Sequence, residues 1–132
     1  MKIFIPGNVP SSKNSKVFTG KFLVNSKTTQ KYKKESKPHY LKYAEEFRAL
    51  YDSLPKPVTV SFQLVRGTKH RFDYINMAQL PFDLMTEYGY IEDDNADCVV
   101  PVFEPYSYDK ENPGVWITLL NNQDWYIMFV WT

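Results

Sequence analysis

Residues 58–64, VTVSFQL, carry the pattern on which the fold assignment depends. Val58, Val60, Phe62 and Leu64 alternate with polar residues, as expected of a β-strand whose two faces differ in polarity. The preceding Pro-Lys-Pro at 55–57 breaks regular structure, because proline has no backbone N–H to donate. The run therefore predicts a half-buried strand that begins directly after a break.

Helical patterns flank this strand on both sides. Residues 38–54 place apolar side chains at spacings of three and four, which predicts an amphipathic helix with Ser36 as its cap. Residues 76–88 repeat the pattern, and Gly89 follows as a stop signal. Pro81 removes one backbone donor, so we expect an irregular first turn or a regular helix that begins close to Pro81.

Further strand-like runs lie towards both ends of the chain. They are MKIFIP (1–6), CVVPVF (98–103), VWITLL (115–120) and WYIMFVW (125–131). Strands and helices that mix without a regular βαβα order indicate the α+β class. We expect one domain over residues 1–132, a mixed sheet of four to six strands with two main helices packed on it.

The composition excludes several classes of protein. The chain has one cysteine and two histidines, too few for an internal disulfide or a Cys/His zinc site. Its apolar runs are too short for a membrane span or an export signal, so we expect a soluble, cytoplasmic protein. Residues 1–50 hold 11 Lys and Arg against 3 Asp and Glu, whereas residues 51–132 hold 5 against 12. A basic half beside an acidic half suits an enzyme that binds a phosphodiester backbone and a metal, although dispersed solvated charges would give the same count.

Four carboxylates between residues 71 and 94 are candidates for a metal site. Asp73 follows the central strand, Asp83 lies on the second predicted helix, and Asp93 and Asp94 follow that helix. Hard oxygen ligands of this kind suit Mg²⁺, or Mn²⁺, and metal-assisted hydrolysis of a phosphodiester. The plainer alternative for the acidic turn is a solvated loop. An EF-hand calcium loop starting at Asp93 is excluded, because its sixth position, where glycine is required, is Cys98.

Residues 71–94, RFDYINMAQLPFDLMTEYGYIEDD, together with VPSSKN at 9–14, resemble the RusA-like Holliday-junction resolvases. The resemblance spans roughly residues 3–120 and implies a small dimeric, Mg²⁺-dependent endonuclease that cuts branched DNA. By this resemblance the catalytic residues are Asp73, Asp93 and Asp94, and the metal ligands are Asp73, Asn76, Asp83, Asp93 and Asp94.

Two positions depart from the pattern of this family. Ile75 stands where the family has a second aspartate, and Gln79 stands where it has a lysine. The sequence therefore leaves open a relative that binds branched DNA without cutting it. A small interaction protein of unrelated function is a third reading.

The candidate nucleic-acid contacts are basic or amide side chains in the early loop, in the lysine-rich stretch and after the central strand. They are Lys13, Asn14, Lys16, Lys27, Lys69 and Arg71. Such side chains hold phosphates by charge and hydrogen bonding. The expected partner is branched DNA, in particular a four-way junction, and a homodimer would present two equivalent sites to it.

Overall fold

A computed structural model describes residues 1–14, 16–20 and 23–120. The strands are β1 (Lys2–Pro6), β2 (Lys16–Phe18), β3 (Leu23–Asn25), β4 (Val58–Arg66), β5 (Val99–Phe103), β6 (Ser107–Tyr108) and β7 (Gly114–Leu120). The helices are α1 (Lys27–Ser53) and α2 (Tyr74–Glu87), with a short 3₁₀ turn at Ser12–Asn14. The predicted strand at 125–131 and the turn at 121–124 lie outside the described residues.

β4 is the centre of a five-stranded mixed sheet. The strand order is β1-β7-β4-β5, and β6 continues the pairing of β4 beyond β5. β4 pairs antiparallel with β7 and parallel with β5 and β6. β2 and β3 form a separate hairpin. The predicted α+β class, with two helices packed on a mixed sheet, is confirmed.

The central position of β4 explains why it is more buried than its alternation predicts. The strand extends two residues beyond the predicted range, to Arg66, and both Ser61 and Val65 are buried. Neighbouring strands and a covering helix leave little of a central strand exposed.

α1 is longer than predicted, and its cap is a different serine. The helix begins at Lys27, and the Ser26 hydroxyl accepts a hydrogen bond from the Thr29 backbone N–H at 3.2 Å. The prediction that Ser36 caps the helix is wrong, because Ser36 is buried within it. Buried residues Thr29, Tyr32 and Ser36 extend the packed face through the lysine-rich stretch, and this packing offsets the backbone hydrogen bond lost at Pro38.

α2 matches its predicted range to within two residues and links two parallel strands. The expectation of an irregular first turn or of a helix start close to Pro81 is wrong, because the helix is regular from Tyr74 and continues through Pro81. It begins at Tyr74 and ends at Glu87, with Pro81 inside, and Gly89 follows in the left-handed region at φ 80°. Its buried face includes Met77, Leu80 and Leu84. Because α2 connects β4 to the parallel β5, it begins at the carboxyl edge of these strands and ends at their amino edge.

Much of the tyrosine content serves the core. Tyr40, Tyr51 and Tyr90 are fully buried, and the Tyr90 hydroxyl donates to the Tyr40 carbonyl oxygen at 2.6 Å.

Neither α1 nor α2, the helices in the described part of the chain, has the length and apolarity that a bilayer crossing requires.

Candidate functional site

The start of α2 brings four of the candidate residues into one cleft. Lys13 and Arg71 line it together with Asp73 and Asn76, and Ser11 and Phe72 complete a cavity of about 350 Å³. We call this the Asp73 cleft. Two cations, a carboxylate and an amide thus meet where the early loop approaches the carboxyl edge of β4.

Asp73 occupies the N-cap position of α2 but does not act as a cap. Its backbone is extended (φ −108°, ψ 132°), and within the described residues its carboxylate makes no capping hydrogen bond. Asp73 is exposed and lines the cleft. The neighbouring Asn76 Oδ1 accepts a hydrogen bond from the Ser12 hydroxyl at 3.4 Å, which ties the early loop to α2.

The early loop is also held by the end of β4. The Gly67 backbone N–H donates to Asn8 Oδ1 at 2.8 Å, and Arg66 Nη1 donates to the Val9 carbonyl oxygen at 2.6 Å. These bonds fix the segment that carries Ser11 and Lys13 against the strand that leads to Arg71. The cleft is therefore preorganised by hydrogen bonds between side chains and the backbone.

Arg66 is the functional candidate that sequence reasoning missed. It is 6% exposed, and its guanidinium carbon lies 5.1 Å from the centre of the Phe72 ring, which lines the cleft. Burial lowers the pKa of the Arg66 guanidinium. Within the described residues Arg66 joins no ion pair and its Nε has no hydrogen-bond partner. A signal was present, because Arg66 continues the period of two set by Val58, Val60, Phe62 and Leu64 and so belongs to the inward face.

The acidic turn lies at the other end of α2. The 14 residues of α2 span about 21 Å. The turn leads into Cys98, whose carbonyl oxygen accepts from the Val58 backbone N–H at 3.0 Å, so the turn adjoins the first residue of β4. Asp93 and Asp94 are thereby placed at the amino edge of the strands, opposite Asp73.

Within the turn the two aspartates differ electrostatically. Asp93 accepts from the Asp94 backbone N–H at 2.8 Å and from Asn95 Nδ2 at 3.1 Å, and these hydrogen bonds lower the pKa of Asp93. Partial burial raises the pKa of Asp94, and the carboxylates of Asp93 and Asp83 raise it further. Asp83 is thus close enough to the acidic turn to disfavour the charged form of Asp94.

The expectation that the five predicted metal ligands converge in one chain is not met. Among residues 1–14, 16–20 and 23–120, no group of three or more His, Cys, Asp and Glu side chains is placed to hold a metal ion. The physical reason is the length of α2, which separates Asp73 and Asn76 from Asp93 and Asp94. Asp83 accepts from Gln79 Nε2 at 2.8 Å and lines a small cavity with Lys16 and Lys33.

The predicted nucleic-acid contacts divide into two groups. Lys13 and Arg71 line the Asp73 cleft, and Lys69 lines an adjoining cavity that shares Arg71 and Asp73. The second group lies along the early loop, the hairpin and the start of α1. There Asn14 ends the 3₁₀ turn, Lys16 Nζ donates to Asn25 Oδ1 at 2.8 Å, and Lys27 is the first residue of α1.

The chemistry available in the Asp73 cleft is that of phosphate and hard-cation binding. Lys13 and Arg71 supply positive charge for phosphate oxygens, and Arg71 has the planar donor geometry for a bidentate contact. Asp73 and Asn76 offer two oxygen ligands, a number that suits Mg²⁺, which keeps several waters and takes further oxygens from substrate phosphates.

Comparison with known proteins adds no assignment. No family model matches the chain, and no curated protein matches it.

Proposed function

We propose that this protein is a RusA-like, Mg²⁺-dependent endonuclease that cuts branched DNA, in particular four-way junctions. The observation that carries the proposal is the Asp73 cleft, where Lys13 and Arg71 flank Asp73 and Asn76 in one cavity. The resemblance of residues 71–94 to the RusA-like resolvases supplies the substrate class and the expectation of a homodimer. The single cysteine, Cys98, fits a reducing compartment such as the cytoplasm.

In this proposal each residue of the cleft has a separate task. Lys13 and Arg71 hold the phosphates on either side of the bond that is cut. Asp73 and Asn76 would hold Mg²⁺ through their side-chain oxygens, and the ion would supply Lewis-acid chemistry, a lowered pKa for a bound water and compensation of negative charge on the phosphate oxygens. The Ser12 hydroxyl donates to Asn76 Oδ1 and would restrict the orientation of this amide.

A second candidate is a protein that binds branched DNA without cutting it. It is favoured by Ile75, which is 79% exposed beside Asp73 and presents an apolar side chain where the family has a carboxylate. The distance of the acidic turn from the Asp73 cleft favours it as well, because one chain then supplies only one carboxylate to the ion.

Cleavage of a labelled four-way junction separates the two candidates. The wild type is incubated with the junction in Mg²⁺, in Mn²⁺ and in EDTA, beside the variants Asp73→Asn and Ile75→Asp. The nuclease proposal expects nicks that require the metal, that are lost in Asp73→Asn and that increase in Ile75→Asp. Asp52→Asn is the matched control, because Asp52 is an exposed carboxylate on α1 paired with Arg48, outside the cleft.

Each alternative has its own outcome in this assay. Salt-sensitive binding of the junction without product in either metal supports the second candidate. If the protein does not bind DNA, or binds it with no dependence on salt, both proposals are wrong, and the interaction protein of unrelated function remains.

A further inference from the structure

Two exposed tyrosines stand beside the Asp73 cleft. Tyr108 lies in β6 and is 44% exposed, and Tyr106, just before that strand, is 53% exposed. Residues two apart in an extended chain point to the same face, roughly 7 Å from one another. Two exposed aromatic side chains thus stand two residues apart, one in β6 and one just before it.

The Tyr106 ring packs edge-to-face against another aromatic ring, which in turn contacts a third. Its centroid lies 4.9 Å from that of Phe72 at an interplanar angle of 81°, and Phe72 meets Tyr74 in the same edge-to-face manner at 5.3 Å. The Tyr106 backbone N–H donates to the Tyr74 hydroxyl oxygen at 3.0 Å. A ring held in this way loses little conformational entropy when a flat ligand stacks on it.

Positive charge lies next to both rings. Lys69 Nζ is 5.0 Å from the centre of the Tyr108 ring. A cavity of about 270 Å³ is lined by Tyr106 together with Lys69, His70 and Arg71, and it shares Arg71 and Asp73 with the Asp73 cleft. None of the ion pairs in the described part of the chain involves Lys69 or Arg71.

The carboxylate of the acidic residue in this turn, Asp109, accepts hydrogen bonds from the backbone of the same turn. Asp109 follows Tyr108, and its Oδ1 accepts hydrogen bonds from the backbone N–H groups of Glu111 at 3.0 Å and Asn112 at 3.2 Å. The Asp109 carboxylate therefore closes the turn, and among the residues that the structure describes Lys69 forms no ion pair.

We propose that Tyr106 and Tyr108 form a stacking platform for two unpaired bases of single-stranded DNA, with Lys69 and Arg71 contacting the phosphates between them. This inference rests on the proposed function and deepens it. It specifies that two bases next to the phosphate held in the Asp73 cleft are unpaired when the DNA is bound. Aromatic faces beside cations suit single-stranded nucleic acid of any sequence, since every base has a π-face.

Binding of short labelled oligothymidylate, measured by fluorescence anisotropy without divalent metal, tests the platform. Tyr106→Leu and Tyr108→Leu keep apolar bulk but remove the stacking surface, and each is expected to weaken binding roughly fivefold or more. Tyr106→Phe and Tyr108→Phe keep the ring and should bind like the wild type. The matched control is Tyr43→Leu, because Tyr43 on α1 is also partly exposed with a lysine, Lys42, 5.3 Å from its ring centre.

A strand of the same length without bases separates stacking from charge. The leucine variants should bind this abasic strand as well as the wild type does, whereas Lys69→Ala should weaken binding to both strands. Equal losses on the abasic strand, or phenylalanine variants as weak as the leucine variants, would overturn the platform. So would leucine variants that remain folded by circular dichroism and bind oligothymidylate like the wild type.

Failure of the platform is distinguishable from failure of the proposed function. If the leucine variants bind normally while Lys13→Ala and Arg71→Ala lose affinity for a four-way junction, the platform is wrong and the Asp73 cleft still binds DNA. If the wild type binds neither oligothymidylate nor the junction, both proposals are wrong.

Discussion

If the Asp73 cleft binds DNA phosphates as proposed, removal of its two cations should change the salt dependence of that binding by a calculable amount. Each cation that neutralises a phosphate of duplex DNA contributes about 0.9 to the slope of log affinity against log salt concentration. Lys13 and Arg71 both line the cleft, so the double variant Lys13→Ala/Arg71→Ala should lose about 1.8 from that slope. Between about 50 and about 200 mM salt, the wild type should therefore lose affinity about 12-fold more than the double variant.

Fluorescence anisotropy with a labelled four-way junction, in EDTA to prevent cleavage, measures this difference. Each single variant should lose about half of the change, because the two side chains contact separate phosphates. Lys42→Ala is the control, since Lys42 is an exposed lysine on α1 outside the cleft and its loss should leave the slope unchanged. Parallel salt dependences for the wild type and the double variant would refute the assignment of the cleft as a phosphate site.

Three predictions concern stability. Asp94→Asn should raise the free energy of unfolding at neutral pH, because partial burial and the neighbouring Asp93 carboxylate disfavour the charged form of Asp94 and raise its pKa in the fold. The gain should shrink as the pH falls through this raised pKa and vanish well below about 3.9, the pKa of an unperturbed aspartate, where the residue is protonated in both states. Equal urea midpoints for the two proteins at pH 7 would contradict it. Gly114→Ala should destabilise the protein by about 1–3 kcal/mol. A Cβ at this position would lie 2.6 Å from the Ile5 carbonyl oxygen and would also clash with the Phe4 ring. An unchanged melting temperature would count against the β1–β7 register. Ser26→Ala should cost about 1 kcal/mol in urea unfolding through the lost cap of α1, whereas a helix that began near residue 36 would not respond.

The elements with strong periodicity could be predicted, and the half of α1 without it could not. β4 and α2 bury alternating or helically spaced apolar residues, which are visible in the sequence. The first half of α1 buries Thr29, Tyr32 and Ser36 among lysines, so its packed face has no apolar signature. Pro38 also suggests a helix start, although packing of the preceding turns carries the helix through it.

The candidate site was predictable only where sequence neighbours are also neighbours in space. Arg71, Asp73 and Asn76 follow one strand end, and their proximity needs only the short loop into α2. The placement of Asp93 and Asp94 needs the pairing of β4 with β5, a long-range contact that the residues between them do not specify. No local sequence pattern could therefore indicate whether Asp93 and Asp94 lie close to Asp73.

In the proposed complex with DNA, the length of α2 would also limit the stretch of duplex that the protein covers. Its span of about 21 Å equals about six base-pair steps of 3.4 Å. A duplex held at Asp73 that ran along this helix would meet the phosphate-repelling aspartates of the acidic turn after that distance. Protection of the backbone from chemical cleavage should therefore end within about six base pairs on that side of the cut, and extend further on the side of the early loop.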